Sequence, residues 1–394
     1  MDYKNKLNPV AYNLKPSGIR KFFGIAATRK DCISLGVGEP DFSTPSAFSQ
    51  GGIESIIKGK TQYTANAGLF ELREEISRYE KHFIGVEYDP NDEILITCGA
   101  SEGIDAAFRA ICAPGDEILI PEPCFVCYEP LVSLCGATPV SIQCTIEDEF
   151  KLTPEKLKEK ITPKTKALLL AYPNNPTGAV MEKEDLEKIA PIILENDLLV
   201  ISDEIYGELV YNDLQFTSIA SLPNMRERTV LVSGFSKYFA MTGWRLGYVC
   251  APREIIDVIY KIHQFAIMCA STAAQYVALR ALRLSFADNF KEVAEMHAQY
   301  DSRRRYLVDR LNALGLTCFE PRGAFYVFPS VKSTGMDGEE FAYALLDSKN
   351  VAVVPGGAFG QSGKDFIRIS YSYSIEHIAK ALDLIEEFLN ERKK

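Results

Sequence analysis

Five short aliphatic runs punctuate the middle of the chain: "EILIT" (93–97), "EILIP" (117–121), "ALLLAY" (167–172), "LLVIS" (198–202) and "TVLVS" (229–233). They are nearly continuous in apolar character and do not alternate, so a strand made from any of them needs cover on both faces. Amphipathic stretches between them, such as "SEGIDAAFRAICA" (101–113) and "MEKEDLEKIAPIILEND" (181–197), supply that cover. Apolar strands alternating with helices predict an α/β unit, a large, mostly parallel sheet with helices on both faces. We place this unit at residues 47–285.

The pattern changes further on. Residues 289–314 read as a long charged amphipathic helix, followed by three strand-like pieces, "GAFYVFPS", "VAVVPG" and "FIRISYS", and a closing helix at about 375–392. This predicts a smaller α+β domain from residues 286–394, with residues 1–46 packed against it and against the active site.

With 394 residues, 47 % of them hydrophobic, the chain can bury a large core. Its net charge of −10 argues against nucleic acid or an anionic membrane as a partner, while leaving room for a local basic pocket. No apolar run has the length of a membrane span, and the first residues carry no signal-peptide core. With ten scattered cysteines, this predicts a cytoplasmic protein with reduced thiols. Cys124 and Cys127 form a CxxC, but no second pair matches it, so buried or incidental thiols are expected. His82, His263, His297 and His377 show no metal-ligand spacing.

In an open α/β sheet, ligands bind beyond the carboxyl ends of the strands. After "EILIT" comes "CGASEG", whose amides at Gly99, Ala100 and Ser101 could receive a phosphate at a helix N-terminus; a plain strand-to-helix turn is the ordinary reading. After "ALLLAY", "PNNPTG" brings Asn175, which also suits an Asn-Pro turn. After "LLVIS", "DEIYGE" brings Asp203 and Tyr206, where a helix-capping aspartate is the alternative. After "TVLVS" comes "GFSK" with Lys237. Together these place an amine, a carboxylate, an amide, a phenol and a phosphate cradle around one point. Neither a GxGxxG nor a Walker loop is present. A lysine nucleophile, a phosphate site and an acidic partner are what pyridoxal phosphate requires.

The stretches "LGVGEPDFSTP" (35–45), "QYTANAGLFELREEI" (62–76), "TCGASEG", "YPNNPTG", "SDEIY", "SGFSKYFAMTGWRLGY" (233–248), "GAFYVFP" and "FIRIS" span nearly the whole chain. In order and spacing the sequence resembles the class I/II, fold-type I pyridoxal-phosphate aminotransferases, the aspartate aminotransferase superfamily, and within it the prokaryotic aromatic, aspartate and alanine branch. The resemblance implies that Lys237 forms a Schiff base with the cofactor aldehyde and later moves the substrate proton. It implies that Asp203 pairs with the pyridine nitrogen and that Asn175 and Tyr206 bond the ring oxygen. Arg245, Ser236 and the 99–101 turn would hold the phosphate. Phe125 would stack on the ring, or else belong to the core. Tyr63 would reach the phosphate of a neighbouring subunit, making a homodimer with shared sites, or else pack locally. Arg368, with Gly38 giving close approach, would bind the substrate carboxylate. The implied reaction is ping-pong transfer between an amino acid and a 2-oxo acid, with glutamate and 2-oxoglutarate as the common pair.

Side-chain preference is less marked. Dicarboxylate users in one branch of the family carry a partner-subunit arginine in the region matching 262–272, and "IHQFAIMCAST" has none. Arg20, Lys21 and Arg29 are other cations near the N-terminus, and Phe22, Phe23, Phe265, Phe325 and Tyr326 would suit an aromatic substrate or simple packing. A C–S β-lyase of the same fold, and a non-catalytic regulator that binds the cofactor, are the competing readings.

Overall fold

The computed structural model describes residues 3–14 and 18–392. Twelve strands occur among them: β1 (Ile33–Ser34), β2 (Ile94–Thr97), β3 (Glu117–Glu122), β4 (Thr138–Gln143), β5 (Thr165–Leu170), β6 (Leu199–Asp203), β7 (Thr229–Gly234), β8 (Gly247–Cys250), β9 (Tyr326–Val327), β10 (Val351–Ala352), β11 (Val354–Pro355) and β12 (Ile367–Ser370). Seven form one sheet in the order β2-β8-β7-β6-β5-β3-β4. Neighbours pair in parallel except at β8, which runs antiparallel to both β2 and β7.

The five aliphatic runs are β2, β3, β5, β6 and β7. They are buried almost throughout, as continuous apolar character requires. Two strands extend the sheet beyond those five. β4, "TPVSIQ", is a half-exposed edge strand that tolerates Pro139 and polar residues, so it lacks the apolar signature. β8, "GYVC", is buried but only four residues long, at the end of the 233–248 stretch.

Helix Ala100–Ile111 shows how cover is built. Its buried positions include Ile104, Ala107, Phe108 and Ile111, the spacing of one helical face, and these pack on the sheet with Leu95, Ile118 and Val232. Full burial of a side chain such as Phe108 stabilises by about 1.5–3 kcal/mol. Because β2, β5, β6 and β7 share one direction, their carboxyl ends open on one edge.

The C-terminal part holds an antiparallel sheet in the order β11-β12-β9. Helices Lys291–Ala313, Gly338–Lys349 and Ile375–Arg392 lay Leu307, Leu311, Phe341, Leu345, Ile378 and Ile385 into one core with Val327, Ile367 and Ile369. The "VAVVPG" run divides, β11 joining β12 while β10 pairs in parallel with β1. That pairing ties the N-terminal segment to this part of the chain and carries Gly36–Glu39 to the strand-end edge. No helix among the described residues is long and apolar enough to cross a membrane.

Candidate active site

A cavity of about 590 Å³ lies at the carboxyl edge of the large sheet. At one end Gly99 precedes helix Ala100–Ile111 with φ of 76°, a left-handed geometry that favours glycine. A Cβ on Gly99 would sit 2.6 Å from Arg245 Nη2, so the missing side chain lets the guanidinium lie against the helix start. Arg245 Nη1 donates to the Thr242 carbonyl at 3.1 Å, and no carboxylate among the described residues pairs with it. The first-turn amides have no acceptor within the helix. With Ala100, Ser101 and the buried Ser236 lining the same end, the cluster is built for an anion.

Lys237 follows β7 and donates from Nζ to the Gly38 carbonyl at 2.6 Å. Burial, reinforced by the positive charges of Arg368 and Arg245, brings its pKa down to about 8 from an ordinary 10.5, with Glu39 and Asp203 pulling the other way. Asp203 closes β6. Its Oδ2 accepts from the Tyr128 hydroxyl at 2.8 Å and its Oδ1 from the Ile205 amide at 3.2 Å. Burial raises the Asp203 pKa, while those hydrogen bonds and Lys237 oppose the rise. No helix follows β6, so the bond to Ile205 caps a turn and not the helix of the alternative reading, and Asp203 lines the cavity. Tyr206 shares a 2.8 Å hydrogen bond with the Tyr326 hydroxyl.

Arg368, on β12, is only 3 % exposed. It donates to Asn175 Oδ1 at 2.9 Å and to the Gly36 carbonyl at 2.5 Å, and its Nε has no partner. Its guanidinium lies over the rings of Tyr326 and Phe359, 4.4 and 5.0 Å from their centroids. The contrast with Arg304 is instructive. Arg304 is also buried, yet it pairs with Asp301 and Glu320 at 2.7 and 2.9 Å, whereas no carboxylate of the described residues pairs with Arg368. A buried guanidinium without a counter-charge is costly unless an anion arrives. Gly38 is tightly hemmed: a Cβ there would lie 2.7 Å from the Tyr326 hydroxyl.

The cavity thus gathers Lys237, Asp203, Tyr206, Asn175, Ser236, Arg245, Arg368, Ala100, Ser101, Phe125 and Gly38. Tyr63 is 80 % exposed and does not line it. Arg29 pairs with Asp347 at the surface, which removes it as a site cation. The side chains of Arg20, Lys21 and Phe23 lie outside the described residues. Of the other aromatics, Phe22 packs against Tyr343, Phe325 is core, Phe265 is 86 % exposed, and Tyr326 alone lines the cavity. Tyr128 is missed from sequence, although a phenol three residues after Phe125 in "EPCFVCYEP" is the available signal. Cys124 and Cys127 are free thiols, and no group of residues among those described could hold a metal ion.

Residues 30–385 match the family described as aminotransferase class I and II. The aspartate aminotransferase of Pyrococcus abyssi is 47 % identical over 96 % of this chain and 97 % of its own. The aromatic-amino-acid aminotransferase 2 of Thermococcus litoralis is 43 % identical, again over 96 % and 97 %. The structure of the Thermus thermophilus aspartate aminotransferase with maleate superposes with a TM-score of 0.92 at 35 % identity, covering 97 % of this chain and 99 % of that one. The chain belongs to the class I and II aminotransferases, enzymes that use pyridoxal 5′-phosphate.

Proposed function

We propose that this enzyme moves an amino group between an L-amino acid of the aromatic, aspartate or alanine type and a 2-oxo acid such as 2-oxoglutarate, in two half-reactions with ping-pong kinetics. The observation that carries this reading is the buried Arg368, without a carboxylate partner among the described residues, in the same cavity as Lys237. One fits a carboxylate and the other an amine-bearing carbon next to it.

The residues present fit pyridoxal phosphate. The cradle that a Gly99 side chain would fill suits its phosphate, held by the Ala100 and Ser101 amides, Ser236 and Arg245. Asp203, a buried carboxylate, suits the pyridine nitrogen; Asn175 and Tyr206 suit the ring oxygen, and Phe125 the ring face. When bound, the cofactor supplies an electron sink for negative charge at the substrate α-carbon.

Lys237 supplies the proton chemistry. An amine with a pKa of about 8 is substantially neutral near pH 8, so its Nζ can take the proton from the substrate α-carbon and release it again. Arg368 orients the substrate carboxylate through its planar fork, with Asn175 beside it and Gly38 leaving room. The hydrogen bond from Tyr128 favours the ionised form of Asp203, against the rise that burial imposes.

We read the functional unit as a cytoplasmic homodimer in which Tyr63 serves the phosphate of a second copy; its exposure in one chain is consistent with that. The large domain is assigned residues 47–285, and the small one residues 1–46 and 286–394.

A panel of amino donors and 2-oxo acids, scored as kcat/KM, tests the reading. An aromatic or acidic donor should turn over with 2-oxoglutarate, and Lys237→Ala should abolish turnover. Release of pyruvate from a cysteine-type substrate without any acceptor, in place of transfer, would instead establish the β-lyase.

A further inference from the structure

A second cavity, of about 650 Å³, opens beside the active site, between the end of β3 and the C-terminal part of the chain. Phe125 lines both cavities. Phe359 lines the second, and its ring lies 5.0 Å from the Arg368 guanidinium. The Cys124 amide donates to the Phe359 carbonyl at 2.9 Å, which fixes the two walls to each other.

One buried carboxyl group faces this space. Glu122 ends β3 and is only 5 % exposed, yet it lines the cavity. Its Oε2 accepts from the Gln361 amide at 3.2 Å, and no cation among the described residues forms an ion pair with it. Gly360 leaves room for the carboxylate, because a Cβ there would lie 2.5 Å from Oε2. Burial pushes the Glu122 pKa up and Glu129 adds to the rise, against the Ser141 hydroxyl and the Gln361 amide. When ionised, Glu122 is a buried charge without a counter-charge, which is costly until a cation arrives.

The rest of the lining selects the ligand. Glu129, Glu339 and Asp337 add carboxylates, and Lys364 is the one lysine or arginine of the described lining. Asp337 is engaged in capping helix Gly338–Lys349, accepting from the Glu339 and Glu340 amides at 3.0 and 2.9 Å, so it contributes field and little more. An anion is therefore disfavoured. No group of the described residues could hold a metal ion. Among the carboxylates stand Phe125, Tyr343 and Phe359, aromatic rings that attract an organic cation and cover an apolar body.

We propose that this cavity is a second ligand site, which takes a small organic cation. The ammonium group sits against Glu122, and its apolar body lies among Phe125, Tyr343 and Phe359.

Isothermal titration calorimetry of the full-length holoenzyme with benzyltrimethylammonium chloride tests the assignment. The probe has no N–H to condense with the cofactor aldehyde and no carboxylate to reach Arg368. It should bind saturably, one per chain, at millimolar concentration or below, and benzyl alcohol, which keeps the ring and lacks the charge, should bind about tenfold more weakly. Glu122→Gln should weaken the probe about tenfold. Ala358→Phe, which fills the cavity from its wall, should abolish binding, and both variants should keep the cofactor absorbance of wild type. If Glu122→Gln fails to fold, Ala358→Phe and benzyl alcohol decide the outcome. The proposal is overturned if the probe does not saturate, if either folded variant binds it as wild type does, or if benzyl alcohol binds equally well. It is overturned too if the probe inhibits turnover in simple competition with the amino donor, which would place it in the active site.

Discussion

Replacing Arg368 by lysine keeps a positive charge on β12 and removes the planar fork. In the native site the guanidinium donates to Asn175 and to the Gly36 carbonyl, leaves Nε without a partner, and lies over Tyr326 and Phe359. A carboxylate bound by the fork accepts two charge-assisted hydrogen bonds, and an ammonium replaces only one of them well. Losing one such bond costs about 1.5–3 kcal/mol. The lost stacking adds about 0.5–1 kcal/mol. The sum, about 2–4 kcal/mol, corresponds to a fall in kcat/KM of roughly 30- to 900-fold. Because the carboxylate is held in the ground state as well as in the transition state, most of the loss should fall on KM. Steady-state kinetics on the best donor measures this, with the visible absorbance of the cofactor followed in the same preparation. Cofactor retention should match wild type. A change in kcat/KM below threefold, or loss of the cofactor with KM unchanged, would falsify the assignment of Arg368 to the substrate carboxylate.

Three other perturbations probe separate parts of the site. Gly99→Ala forces a side chain to φ of 76° and drives a Cβ to 2.6 Å from Arg245 Nη2, so affinity for pyridoxal phosphate should fall about tenfold by equilibrium titration, at a cost of about 1–3 kcal/mol; unchanged affinity would move the phosphate site elsewhere. Tyr128→Phe removes a hydrogen bond that lowers the Asp203 pKa, so that pKa should rise, the acidic limb of the kcat profile should move to higher pH, and kcat should fall about fivefold for a bond worth about 1 kcal/mol; an unmoved limb counts against Tyr128 as a support for Asp203. Lys237 titrates near 8 in the folded chain against 10.5 ordinarily, so cofactor capture by the apoprotein should accelerate as pH rises through about 8. Between those values the unfolded chain binds more protons, so apoprotein stability gains a favourable slope as pH rises from about 8 to 10.5. Urea melts of Lys237→Ala should lack that component, and an identical slope in the variant would refute the depressed pKa.

Much of this was readable in the chain. β2, β3, β5, β6 and β7 announce themselves because burial on both faces demands a continuous aliphatic run, a requirement written residue by residue. Asp203 and Lys237 could be placed because strand ends in one parallel sheet share an edge, so local position implies a common destination. The edge strand β4 and the short β8 lack that signal, and only pairing with their neighbours defines them. The Tyr128–Asp203, Tyr206–Tyr326 and Arg368–Asn175 bonds join residues far apart in sequence. Sequence by itself determined the five aliphatic strands, the sheet class and the identities of the reactive groups, because periodicity and composition are local properties. Tertiary structure alone decided that Arg368 is buried without a carboxylate among the described residues and that Lys237 has a lowered pKa. Counter-charge and desolvation depend on every segment that packs around a group, and no single stretch of chain carries that information.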